Sequence, residues 1–249
     1  MLSIKLKMND AKTEYILFGT NQQLAKCNNV GLTIGDSTVA SSDCVRNLGS
    51  YFDKHMSMEV HVRTKCRDAY AQLYNITKIR KYLNFESAER LVNALVHTHL
   101  DYCNALLIGL PQKLIRKMQM VQNTAARVLC RVKKFDHITP TLKKLHWLPI
   151  AYRIKYKVCL LTFKALRDQG PVYIRDMLSI RSGHYTLRSS QILSLEVPRT
   201  KRKTLGDRAF RVAAPKMWNS LPKDLRAVET VSEFKNKLKG HFFDQEYGS

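Results

Sequence analysis

Carboxylates, histidines and cysteines are the residue types from which this chain would build a reaction centre, and their spacing argues against several kinds. Two-metal phosphoryl transfer needs aspartates on adjacent strands that hold cations about 4 Å apart. No Asp-Asp pair occurs anywhere in the 249 residues. Tyr51-Phe52-Asp53-Lys54 comes nearest, but Lys54 stands where the second carboxylate is needed and would repel a metal. Asp36, Asp43 and Asp53 would make a looser triad; between short strands they read as turn residues instead. The six cysteines, at 27, 44, 66, 103, 130 and 159, include no pair at the two- to four-residue spacing of zinc sites. The nearest Cys/His group is His97, His99 and Cys103. On one predicted helix His99 and Cys103 share a face at i, i+4, but two ligands do not make a site, and a core cysteine beside a surface histidine fits better. A Walker-type glycine loop, Gly-x-Ser-x-Gly and His-Glu-x-x-His are missing too. The expectation is therefore no catalytic residue, no metal or cofactor, and no small-molecule substrate.

The cations point elsewhere. Forty-two Lys+Arg against 20 Asp+Glu leave a formal net charge of +22 and a pI of about 9.9. Such a charge repels itself in the folded state, and a polyanion relieves the repulsion with release of its counterions. Nucleic acid is the expected partner; an anionic membrane is the competitor. No run of about 20 apolar residues exists to span a bilayer. Leu91 to Leu110 comes closest and is interrupted by His97, His99, Asp101 and Asn104, so it reads as a buried helix. Met1 to Met8 carries Lys5 and Lys7 but no apolar core, unlike a signal peptide. With no disulfide framework to suggest export, a reducing intracellular compartment is expected, nucleus and cytoplasm unresolved. Lys201-Arg202-Lys203, after Arg199, would serve either as a short nuclear signal or as a phosphate-contacting loop.

The elements that would position these cations differ along the chain. Residues 1–55 carry a net +1, residues 56–180 a net +14 and residues 181–249 a net +7. The first region reads as short strands at Glu14 to Phe18, Val30 to Ile34, Thr38 to Ala40 and Val45 to Phe52, with turn chemistry at Asn28-Asn29 and Gly35-Asp36. The second is helical. One helix is predicted from Met58 to Tyr82. A second is capped by Asn84, has Glu86 in its first turn and stops at Gly109; a third starts at Pro111 and reaches Arg131. In the third, Leu114, Met118, Val121, Ala125 and Val128 repeat at 4, 3, 4, 3 spacing as a buried seam. Arg116, Asn123, Arg127 and Arg131 fall opposite, flanked by Lys113 and Lys117. No acidic residue lies between Lys113 and Lys134, so this stripe has no internal i, i+4 partner. It is either a solvated face or a phosphate-tracking one. A helix from Ile150 to Asp168 repeats the arrangement, with Ile150, Ile154, Val158, Leu161 and Ala165 inside and Arg153, Lys157 and Lys164 along one edge. Tyr152 and Tyr156 read as packing rather than base-stacking residues, and Trp147 as a core anchor. After Ser182 the pattern is mixed, with a strand near Leu193 to Pro198 and a last helix from about Ser232.

Several blocks carry a resemblance. Lys12-Thr13-Glu14-Tyr15-Ile16-Leu17-Phe18-Gly19 and Val45-Arg46-Asn47-Leu48-Gly49-Ser50-Tyr51-Phe52-Asp53 are similar to the stretch after the catalytic palm of non-LTR (LINE-type) retrotransposon reverse transcriptases, in particular the jockey and chicken-repeat branch. Leu100-Asp101-Tyr102-Cys103-Asn104-Ala105-Leu106-Leu107, Val121-Gln122-Asn123-Thr124-Ala125-Ala126-Arg127 and Leu145-His146-Trp147-Leu148-Pro149 resemble the helical thumb region of that branch. So do Arg80-Lys81-Tyr82-Leu83, Gly109-Leu110-Pro111 and His137-Ile138-Thr139-Pro140. The block from Gly206 to Pro222 is similar to one near the carboxyl end of those polyproteins.

The resemblance implies an α+β fold in three parts: palm-edge strands forming a short β-meander (1–55), a basic thumb-like helical bundle (56–180) and a small mixed α/β region with a terminal helix (181–249). It implies primer-grip-like strands, with Lys12 at the head of the first, and a thumb that holds template–primer duplex by its backbone. The implied contacts are Lys12, Lys113, Arg116, Lys117, Asn123, Arg127, Arg131, Arg153, Lys157 and Lys164. In that family the metal-binding Asp-Asp hairpin lies upstream of the Lys12 segment, which only Met1 to Ala11 precede here. Magnesium would belong to a complete parent enzyme. The expectation is a truncated, non-catalytic piece of an RNA-directed DNA polymerase that binds RNA and DNA without sequence preference. The palm-edge strands, lacking their sheet partners, are expected to be the less stable part. Two alternatives stand: the thumb end of a longer active enzyme, and a basic scaffold for an acidic protein partner.

Overall fold

The computed structural model describes residues 9, 12–27, 31–34, 37–181, 193–201 and 203–248. It is of mixed α+β type, mainly helical, with two small antiparallel sheets. The chain divides into two compact units, residues 1–64 and 65–249. The predicted turns at Asn28-Asn29 and Gly35-Asp36, and Arg202 of the basic triplet, lie outside the described residues.

In the first unit a helical turn, α1 (Asn21–Ala25), is closed by a capping box between Thr20 and Gln23. Two hairpins follow. Strands β1 (Leu32–Ile34) and β2 (Ser37–Val39) pair antiparallel, as do β3 (Cys44–Asn47) and β4 (Ser50–Asp53). The single strand expected over Val45 to Phe52 is thus a hairpin. Its two-residue loop, Leu48-Gly49, has both φ angles positive at 45° and 81°, the twist that matches antiparallel strands. Leu48 gives no turn signal, so it is the backbone conformation that reveals the reversal. No strand forms over Glu14 to Phe18; Tyr15 makes one isolated bridge to Ser41. The result is two separate hairpins rather than one meander.

Asp53 closes β4 and prepares the next helix, α2 (Glu59–Ile79). Its carboxylate accepts hydrogen bonds from the backbone N–H groups of His55 (3.1 Å), Ser57 (2.9 Å) and Met58 (2.8 Å) and from the Ser57 hydroxyl (3.0 Å). Within that turn Met56 and Met58 adopt left-handed backbone, φ 53° and 60°.

The second unit is built around α7 (Ile150–Leu166), on which Ile150, Ile154, Val158 and Ala165 are buried as the seam predicts, while Leu161 is only half-buried. Cys159, Leu160, Thr162 and Phe163 are buried as well, so neighbours cover this helix on more than one side. Helix α5 (Gln112–Cys130) packs on it, starts after Pro111, and ends where Arg131 turns left-handed at φ 56°. Its seam residues Leu114, Met118, Val121 and Ala125 are buried, with Leu129 rather than Val128 completing the row.

Helix α3 (Phe85–Val92) is capped by Asn84, whose side chain accepts from the Ser87 N–H at 2.8 Å. The long helix expected from there to Gly109 is interrupted. One π-helical turn (Asn93–His97) leads into a short α4 (Thr98–Asp101), and the chain then breaks at Cys103, φ 52°. Consequently Cys103 is exposed rather than a core residue. Gly109 has φ 69°, and a Cβ there would meet Arg208 Cγ at 2.8 Å, so both conformation and space call for glycine.

Beyond residue 181 the described residues are mostly helical: α9 (Lys203–Arg208), α10 (Phe210–Ser220), α11 (Lys223–Arg226) and α12 (Val231–Tyr247) follow the earlier α6 (Thr139–Lys144) and α8 (Val172–Arg175). The strand expected near Leu193 to Pro198 amounts to one bridge between Ile180 and Leu195. Helices α10 and α12 pack on α7 and share its core, where Phe163 stacks on Phe234 at 4.2 Å and both lie against Trp218. This shared core is the reason the last two predicted regions form one unit. No described helix is long and apolar enough to cross a membrane.

Candidate nucleic-acid interface

The cationic face of α5 is positioned by polar contacts on its buried side. Gln119 Oε1 accepts from the Ile150 N–H at 2.8 Å, satisfying one of the orphan donors at the start of α7. Gln122, fully buried, donates to the Leu148 carbonyl at 3.0 Å. The two glutamines fix the rotation of α5 against the start of α7, and with it the direction in which the opposite face points.

Along that opposite face Lys113, Arg116 and Lys117 are exposed and line an open groove of about 790 Å³ with Ile115, Met120 and Ala151. Lys113 and Arg116 make no ion pair or hydrogen bond to any described residue. Lys117 lies near Cys66, whose thiol burial pushes up to about 11 while the lysine opposes the rise. Met120, 54% exposed, adds an apolar surface between the cations.

The carboxyl-terminal half of the stripe is used differently. Arg127 donates to the carbonyls of Lys133 (3.3 Å) and Asp136 (2.8 Å), and Arg131 to that of Arg80 (3.3 Å). Asn123 accepts from Gln119 at 2.8 Å. The loop that Arg127 holds presents Lys133, Lys134 and Phe135, the last 92% exposed with the Lys134 ammonium 5.8 Å from its ring centre. An exposed ring beside cations is the combination on which bases stack. Sequence reasoning missed it because a lone Phe in a basic run has no periodicity to mark it.

The edge predicted on α7 is not a single row. Arg153 is occupied by a bidentate ion pair with Asp101 through Nε and Nη2. Lys157 lines a separate cavity, and Lys164 is half-buried. Tyr152 packs 5.6 Å from Phe242, as a packing residue should, and Trp147 is buried with its carbonyl accepting from Tyr247 at 3.0 Å. Lys12, in the first unit, is exposed, and its backbone N–H donates to the Asn9 carbonyl at 3.1 Å.

Sequence reasoning also missed Arg80. Its guanidinium donates to the carbonyls of Leu83 (2.9 Å), Val128 (3.2 Å) and Leu129 (2.7 Å), placing a cation on the last carbonyls of α5, where the helix dipole favours it. Among the carboxylates considered for metal binding, Asp43 pairs with Lys54 at 2.9 Å and Asp53 is engaged as described, while Asp36 lies outside the described residues. No group of three or more His, Cys, Asp or Glu is placed to hold a metal ion among the described residues. Comparison with known protein families, with curated proteins and with solved structures found no match.

Proposed function

We propose that this protein binds the sugar–phosphate backbone of RNA and DNA without sequence preference, through the amino-terminal half of α5. The observation that carries this reading is the groove with Lys113 and Arg116 unpaired along it, in a chain of net charge +22. Lysine and arginine on a helix face pair with phosphates, and phosphate contacts carry no sequence information. From Lys113 to Lys117 the helix rises about 6 Å, enough to meet neighbouring phosphates. The exposed Phe135 supplies one stacking surface near the far end, suited to an unpaired base.

The resemblance to the thumb region of LINE-type reverse transcriptases agrees with this role, since blocks that carry it fall on α4, α5 and the start of α7. We take the chain to derive from such an enzyme and to be non-catalytic. The supporting chemistry is that no paired aspartates exist and that Asp53 and Asp43 are committed to a turn and an ion pair. Primer extension on an RNA template with magnesium or manganese should give no product. In fluorescence anisotropy, two unrelated duplexes of equal length should bind within about threefold of each other at one salt concentration. A preference of a hundredfold between them would contradict the reading.

A further inference from the structure

Helix α2 carries a second surface, chemically unlike the α5 face, on which exposed rings stand among cations. Along the part of α2 that belongs to the 65–249 unit, Cys66, Ala69, Leu73 and Ile76 are buried at 3, 4, 3 spacing. At about 100° per residue, Tyr74 and Lys78 fall opposite that seam, with Tyr70 at its flank. Tyr70 is 40% and Tyr74 63% exposed. The 3-10 turn that follows, Arg80–Tyr82, adds Tyr82, 76% exposed. The other exposed residues of this stretch, Ala71, Asn75 and Thr77, are short.

A single exposed tyrosine is ordinary surface. Here three occur within residues 69–85, which hold no acidic residue at all. Two of them carry a lysine: the Lys78 ammonium lies 4.3 Å from the Tyr74 ring centre, and that of Lys81 4.8 Å from the Tyr82 centre. Neither lysine makes an ion pair or hydrogen bond to a described residue. A ring with a cation over one face offers its other face to a base, and the ammonium then stands beside the phosphate of the same strand. An apolar partner would cover the rings but strand the ammonium groups, and an acidic one would pair the lysines but leave the rings in water. A nucleic-acid strand satisfies both. In a duplex the base faces are already stacked on one another, so the rings select a strand whose bases are unpaired.

We propose that this face of α2 and the turn after it bind an unpaired nucleic-acid strand, with bases stacked on Tyr74 and Tyr82, Tyr70 alongside, and phosphates met by Lys78 and Lys81. The surface and the form of nucleic acid both differ from those assigned to α5, where cations meet phosphates with no ring among Lys113, Arg116 and Lys117. Every base has a stackable face, so no sequence preference is expected here either.

Fluorescence anisotropy with an oligothymidylate and an abasic strand of equal length separates stacking from phosphate contact. The full chain is used with Phe135→Ala, which removes the exposed ring near the end of α5. This protein should bind the base-bearing strand about tenfold or more tighter than the abasic one. Adding Tyr74→Ala and Tyr82→Ala, both at exposed positions, should bring the two strands to within about threefold and leave duplex affinity and the thermal midpoint unchanged. In the wild-type chain, photo-cross-linking to an iodouracil-substituted strand should mark Tyr70, Tyr74 or Tyr82, a readout that needs no variant. Equal affinity for the two strands, a base preference that survives loss of both tyrosines, or cross-links confined to residues outside 70–82 would overturn the proposal. Duplex binding by Lys113 and Arg116 is read separately, so failure here leaves the α5 reading intact, and failure there leaves this one standing.

Discussion

Asp53 holds two left-handed methionines in place with a single carboxylate. Burial raises its pKa, but four hydrogen bonds from Ser57, Met58 and His55 outweigh that and bring it below the usual carboxylate value. Its contribution is therefore present above the unfolded value near 3.9 and lost as pH falls through the lower folded value. Asp53→Ala should destabilise the chain by about 2 kcal/mol, read as a lower urea midpoint at pH 7. His97 acts in the opposite chemical sense with the same direction in pH. Burial pushes its imidazole down to about 4, Arg153 adds to the fall and Asp101 opposes it, with His146, Tyr156, Lys157 and Lys239 the other charged or titratable groups around the cavity that His97 lines. Because the folded value lies below the unfolded 6.5, the neutral buried ring favours folding fully above pH 6.5. That contribution disappears between pH 6.5 and 4, by up to roughly 3 kcal/mol. A urea midpoint falling through this window in wild type, and falling less in His97→Gln, is the expected result.

Helices were legible in the sequence where apolar spacing and caps agreed. Asn84 placed the start of α3, and Pro111 with the Leu114–Ala125 seam placed α5, to within a residue or two. The π turn and the break at Cys103 were not legible, because neither Gly nor Pro marks either of them. The hairpin at Leu48-Gly49 was hidden by the leucine, a residue that seldom takes positive φ. Leu48 is 86% exposed, so Leu48→Asn removes no packing. It should stabilise the β3–β4 hairpin by about 0.5–1 kcal/mol, measured as slower amide exchange across residues 44–53. Of the candidate site, Lys113, Arg116 and Lys117 were readable from helical spacing. The fate of Arg131 and Arg153 depended on a carbonyl and a carboxylate remote in sequence, and that of Arg127 on how the following loop folds back, which spacing does not carry. Arg80→Ala should cost about 2–3 kcal/mol by removing two hydrogen bonds from the end of α5 and one from the Leu83 carbonyl, visible as a lower thermal midpoint.

At the scale of the molecule, a net charge of +22 sets the behaviour more than any single contact. The arginines that tie loops together contribute to the long-range field even where their donors are used, and under the proposed reading they would speed encounter without gripping a phosphate. In that reading the duplex is gripped by Lys113 and Arg116, which have no ion pair or hydrogen bond among the described residues and share one face of α5. The measurement that tests this most directly is the salt dependence of duplex binding by wild type and by Lys113→Gln/Arg116→Gln/Lys117→Gln. Backbone binding through this face predicts a steep negative slope of log affinity against log salt for wild type, made shallower by about 2–3 in the triple variant. An unchanged slope in a folded triple variant would contradict the account and move the interface elsewhere on the surface.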